Sequence, residues 1–180
     1  MDQMTSEVIE LLHQSRLPPG DTIPEGVSED DIIGFEKRTG LKVPPRLRSW
    51  LRTSNGPCAG AGGVYGIHPK RHDLDIEYTL GLRPVWIELG WIPIAGDGCG
   101  NEYCVVTRNE FGDGEPVIFI ETLEGENTPT YVVASETWHF LRFYFKADLG
   151  LTEWPFDKNE VVNSDPNIAK FNSATLPWDA

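Results

Sequence analysis

Cysteine is scarce in this chain: Cys58, Cys99 and Cys104 are the only three in 180 residues. So small and odd a number excludes a disulfide framework and fits a reducing compartment. Long apolar runs are missing too. None approaches the ~20 residues that span a bilayer. The segment from Met1 to Arg16 lacks the basic start, apolar middle and small-residue cleavage site of a secretory signal, so a cytoplasmic protein is expected. Basic residues are outnumbered, with 15 Lys and Arg against 28 Asp and Glu and a formal net charge of −13. A surface that negative repels nucleic acid and anionic membrane and attracts basic proteins. It also favours solubility by itself.

Assembled chemistry is equally sparse. Cys99 and Cys104 are not matched by a second pair at zinc-finger spacing. His68 and His72 stand four apart, but Pro69 lies between them and no Glu follows the first His as in H-E-x-x-H. No metal and no cofactor are therefore expected. There is no G-x-S-x-G elbow, and a set of thiols with His139 could form only from distant positions. The glycine-rich stretches 60–63 and 96–100 lack the Lys-Ser/Thr of a phosphate loop. The second lies between two expected strands and suits a tight turn at Gly98 and Gly100. From that turn Asp97 and Asn101 could face a small ligand, the one opening for a ligand-binding or enzymatic domain; otherwise no enzyme is expected. A basic face of Arg46, Arg48 and Arg52 with Lys42 is too small for a nucleic-acid footprint.

What is present is punctuation. Ser6 to Arg16 reads as an amphipathic helix ended by Pro18-Pro19-Gly20. Ser28, with Asp31 three residues on, opens a second helix that Gly40 closes. Pro44-Pro45 starts a third, with Leu47, Trp50 and Leu51 inward and Asn55-Gly56 at its end. Asp73 to Leu80 reads as a short helix. Residues 91–95, 103–107, 117–121 and 130–133 read as strands, close enough for antiparallel connections. Ser135 is expected to cap a last helix with Trp138, Leu141, Phe145 and Leu149 on one face. The divisions are a helix and linker over 1–26, a domain over 27–150, and an aromatic arm over 151–180 that packs back in irregular conformation. Gly40, Pro44, Trp50, Asn55, Gly56, Trp91, Pro93, Gly98 and Gly100 are assigned to the scaffold.

One stretch stands apart. Glu110, Asp113, Glu115, Glu121, Glu124, Glu126 and Glu136 fall between residues 110 and 137 with no Lys or Arg among them. Charged loops of this kind keep sheet edges from pairing. They also make a docking surface for a basic protein.

Several blocks together resemble the SUKH superfamily, which includes fungal cell-wall synthesis regulators and bacterial toxin-immunity proteins. They are Ile33-Gly34-Phe35-Glu36-Lys37-Arg38-Thr39-Gly40-Leu41-Lys42-Val43-Pro44, then Trp50-Leu51 with Ser54-Asn55-Gly56, then Trp91-Ile92-Pro93-Ile94-Ala95 with Asp97-Gly98 and Gly100-Asn101, and the helix after Ser135. The resemblance spans roughly Val27 to Phe145 and is least typical over 57–90. It implies an α+β fold, with helices on one face of a mostly antiparallel sheet of about five to six strands. It implies no catalytic centre, and a protein partner: commonly a toxin, often a nuclease and therefore basic, or else a cellular protein bound by an adaptor.

Overall fold

A helix start is legible where its contacts are local. Ser28 and Asp31 form a reciprocal cap: the Asp31 N–H donates to the Ser28 hydroxyl, and the Ser28 N–H donates to the Asp31 carboxylate at 3.0 Å. They open α2 (Glu29–Thr39), which Gly40 ends at φ +75°, a left-handed conformation natural to glycine. The computed structural model describes residues 3–171 and 174–179. The outermost ends of the two flanking segments, 1–2 and 180, therefore lie outside the described residues. Before α2 stands α1 (Gln3–Gln14), and after it α3 (Pro45–Leu51), with Pro45 at its first turn.

Residues 72 to 90 depart from expectation. In place of one helix over Asp73–Leu80 there is a 3₁₀ turn at His72–Leu74, then α4 (Ile76–Leu82). Asp75 resets the register by capping α4, accepting from the Glu77 N–H at 2.9 Å. A further helix, α5 (Val85–Leu89), is bracketed by Pro84 and the left-handed Gly90.

The sheet is a four-stranded antiparallel meander in the order β1 (Trp91–Gly96), β2 (Glu102–Val106), β3 (Val117–Ile120) and β4 (Tyr131–Ala134). The four strands fall where the residue patterns place them, and the five or six that the resemblance implies are not reached among the described residues. Val64 makes one bridge to Ala95, and Gly60, Gly62 and Gly63 before it have no side chains to hold a pleat. Every residue of β1 and β2 is buried. Successive side chains point to opposite faces, so this half of the sheet is covered on both.

After β4 comes α6 (Thr137–Asp148). Its cap is Glu136, which accepts from the His139 N–H at 2.9 Å, and not Ser135. Ser135 is instead engaged by Asp165. Trp138 and Phe145 meet Trp50, at ring-centroid separations of 5.7 and 6.2 Å. Phe140, Phe143 and Tyr144 are buried as well. Trp154 stacks on Phe143 at 6.0 Å and donates from its indole N–H to the Val133 carbonyl. The arm's conformation is not irregular throughout. Asp157 caps α7 (Lys158–Ser164) through the Glu160 N–H, and a 3₁₀ turn follows at Pro166–Lys170. No helix among the described residues is long and apolar enough to cross a membrane.

Candidate functional site

Several acids away from the sheet loops are held in ion pairs. Glu29 and Glu36 share Arg48, and Lys42 and Arg52 join them. Glu7 holds Arg142 and Lys146. Glu77 holds Arg38, and Asp73 holds Arg71. The basic face of α3 is thus consumed in ion pairs.

None of these ion pairs involves the 110–126 acids. Among the described residues, no Lys or Arg lies within ion-pair range of Glu110, Asp113, Glu121, Glu124 or Glu126. The strand β3 divides them into two groups separated by its length, roughly 13 Å. Before β3, Glu110 accepts from the indole N–H of Trp91, and Asp113 accepts from Asn109. Glu115 accepts from the Arg46 N–H at 3.0 Å. Burial pushes the Glu115 carboxyl up, and the nearby Glu136 carboxylate adds to this. A cavity of about 260 Å³ opens here, bounded by Arg46, Asp113, Glu115 and Glu136 on one side and by Lys170 and Phe171 on the other. After β3, Glu124 and Glu126 are exposed, and Leu123 between Glu121 and Glu124 is 97% exposed. This loop is anchored by Thr122, whose hydroxyl donates to the Gly100 carbonyl, and by Trp86, whose indole N–H donates to the Glu126 carbonyl.

The 96–101 turn spends its polar groups on itself. Asp97 accepts from the Cys99 and Asn101 N–H groups and from the Asn101 amide, and Asn101 in turn accepts from the Thr122 N–H. Asp97→Ala is expected to cost about 1–2 kcal/mol of stability in urea denaturation, because two backbone donors lose their acceptor. An unchanged midpoint would return Asp97 to the list of ligand-facing candidates.

Among the described residues no hydrogen bond joins Cys58, Cys99 or Cys104 to a histidine. Cys104 is buried and Cys58 half-buried, and burial pushes both thiols up. His139 lies instead 3.7 Å from Asp165. His68 and His72 also part company. His72 packs on Tyr78, while His68 meets Asp75 and Glu77, with ligand atoms of all three within 4.8 Å of one another. The Arg38 guanidinium occupies that cluster, 2.7 Å from Glu77 and 2.9 Å from His68. It already supplies the positive charge a metal ion would bring.

Two polar groups escaped the sequence reading. Glu102 on β2 is buried against the Tyr65 hydroxyl at 2.7 Å, with Arg83 at 3.7 Å. Asp165 is fully buried against Ser135. A family model described as the SMI1 / KNR4 family (SUKH-1) matches residues 26–142. Among curated proteins no match is found.

Proposed function

Because the chain belongs to the SMI1 / KNR4 family (SUKH-1), we propose that it is a non-catalytic protein-binding domain, an immunity protein that neutralises a basic bacterial toxin in the cytoplasm. The observation that carries the reading is the set of unpaired acids around an exposed apolar tip. Elsewhere Glu7, Glu36 and Glu77 are matched by Arg or Lys, and exposed acids such as Glu10, Glu88 and Glu153 are not, among the described residues; what sets this loop apart is three unmatched acids beside an exposed apolar residue. Around Leu123 the chain leaves Glu121, Glu124 and Glu126 unmatched. An apolar anchor ringed by like charges suits a partner that brings the opposite charge. A nuclease does so, because its cleft must attract phosphates.

The test is co-expression with the toxin encoded beside this chain's gene. Protection is expected, together with binding that weakens steeply as salt rises. Reversing Glu124 and Glu126 to Lys should slow association by roughly tenfold or more and leave the melting temperature nearly unchanged. Lack of protection, or reproducible capture of a cellular protein in place of a toxin, would overturn the reading.

A further inference from the structure

A second cavity, of about 220 Å³, lies between the 96–101 turn, the end of α6 and the arm. Tyr103, Tyr144, Trp154 and Pro155 give it apolar walls, and Asp97 and Asp148 bring carboxylates. Among the described residues no Lys or Arg lines it. The basic residues of α6, Arg142 and Lys146, are both held by Glu7. The last turn of α6 adds the negative end of its dipole through Ala147 and Asp148. The walls are fixed from within the fold. The Tyr144 hydroxyl accepts from the Gly62 N–H at 2.9 Å and donates to the Gly96 carbonyl at 2.8 Å.

One polar group is left over. Tyr103 is 9% exposed, and Phe119, Phe140, Tyr144 and Trp154 enclose its ring at centroid separations of 5.0 to 5.9 Å. Its hydroxyl, the end left for it to turn to the pocket, has no hydrogen-bond partner among the described residues. Buried tyrosine hydroxyls ordinarily have one, as Tyr65 and Tyr144 do. A cation with N–H donors on an apolar stem supplies what is missing. Its methylenes suit the aromatic walls, and its head brings a donor for the hydroxyl and a charge for the acids. Asp97 already accepts three hydrogen bonds within its turn, so it offers charge but no free edge to a guanidinium fork. An ammonium needs no fork.

We propose that this pocket receives one lysine side chain of the partner protein, its stem against Tyr144 and Trp154 and its ammonium donating to the Tyr103 hydroxyl. The proposal rests on the protein-binding reading and uses none of the residues of the Leu123 loop. It gives the arm a part in binding, through Trp154.

The test needs no partner. The full chain is titrated at low salt with N-acetyl-lysine methylamide and followed by backbone amide NMR. The norleucine, arginine and trimethyl-lysine analogues and pentane-1,5-diamine are parallel probes. The lysine probe should move the resonances of Ala61, Asp97 and Asp148 with a Kd on the order of 1 mM. The uncharged norleucine analogue should bind roughly tenfold more weakly, and the arginine and trimethyl-lysine analogues roughly fivefold. Tyr103→Phe deletes only the hydroxyl and should weaken the lysine probe roughly tenfold. Its melting temperature should not fall, because that hydroxyl has no partner to lose. Asp148→Asn, at an exposed position, should weaken the probe by roughly threefold, an effect that salt removes. No shift with the lysine probe, equal binding of the norleucine analogue, or indifference to Tyr103→Phe would each overturn the proposal. Much tighter binding of the diamine would overturn it too, in favour of a free polyamine. Any of these would leave docking through the Leu123 loop standing. Lysine binding without toxin protection would retire the immunity reading and keep the pocket.

Discussion

Asp165→Ala is expected to lower the unfolding free energy by about 3 kcal/mol. Asp165 is 0% exposed. Its carboxylate accepts from the Ser135 N–H at 2.7 Å and from the Ser135 hydroxyl at 2.5 Å. That pair joins the end of β4 to the turn after α7. Removing the carboxylate strands a buried N–H and a buried hydroxyl, and a buried donor without an acceptor costs about 1–3 kcal/mol. Ser135→Ala removes only the hydroxyl and should cost about 1 kcal/mol, with a double mutant less than additive. Urea denaturation reads all three. It also reports what happens to residues 151–179. If Asp165 secures them, the folded variant exposes the surface around Trp154 before unfolding, and the slope against urea falls. A loss under 1 kcal/mol with an unchanged slope would show that Trp154, stacked on Phe143, holds the segment without the Ser135–Asp165 pair.

What could be read from the sequence was local. The Ser28–Asp31 cap and the Gly40 stop are contacts between residues three or four apart, and they fall where the residue types place them. Strand positions came within a residue or two, because β-branched and aromatic runs between turn residues leave little choice. Helix α5 was missed because five residues hold too little of a 3.6-residue period, although Pro84 and Gly90 bracket it. Ser135 was misread because a residue 30 positions away claims its side chain and leaves the cap to Glu136. The acid run was legible as composition but not as geometry. A four-residue strand splits it, and Glu115 is held by the Arg46 N–H from 69 positions away. His68 gathers Asp75 and Glu77 only because a 3₁₀ turn precedes α4.

Stability should fall as pH rises from about 4.5 to about 7, and Glu102→Gln should abolish most of the fall. Glu102 is 7% exposed, and burial pushes its carboxyl up from 4.5 to about 7. The Tyr65 hydroxyl and Arg83 pull it back only in part, and the Asp97 carboxylate adds to the rise. Burial also raises the neighbouring Tyr65 and Cys104, so both stay neutral across this range. A carboxyl raised on folding binds its proton more tightly in the folded chain. Its contribution is complete below about 4.5 and is lost as pH rises through about 7. At about 1.4 kcal/mol per pH unit, the loss is about 3 kcal/mol by pH 8. Lowered carboxyls such as Glu36 and Glu77 act with the opposite sign, and their contribution is lost only as pH falls below about 4.5. Glu115 is raised and acts in the same direction as Glu102, so the comparison with the variant is what isolates Glu102. Gln keeps an acceptor for the Tyr65 hydroxyl and has no charge to bury. The variant should therefore be the more stable protein at pH 8, with the gap closing towards pH 5. Urea midpoints from pH 5 to 8 measure the gap directly, and parallel curves for the two proteins would mean that Glu102 stays ionised inside the fold, held by Arg83 more strongly than a 3.7 Å contact implies.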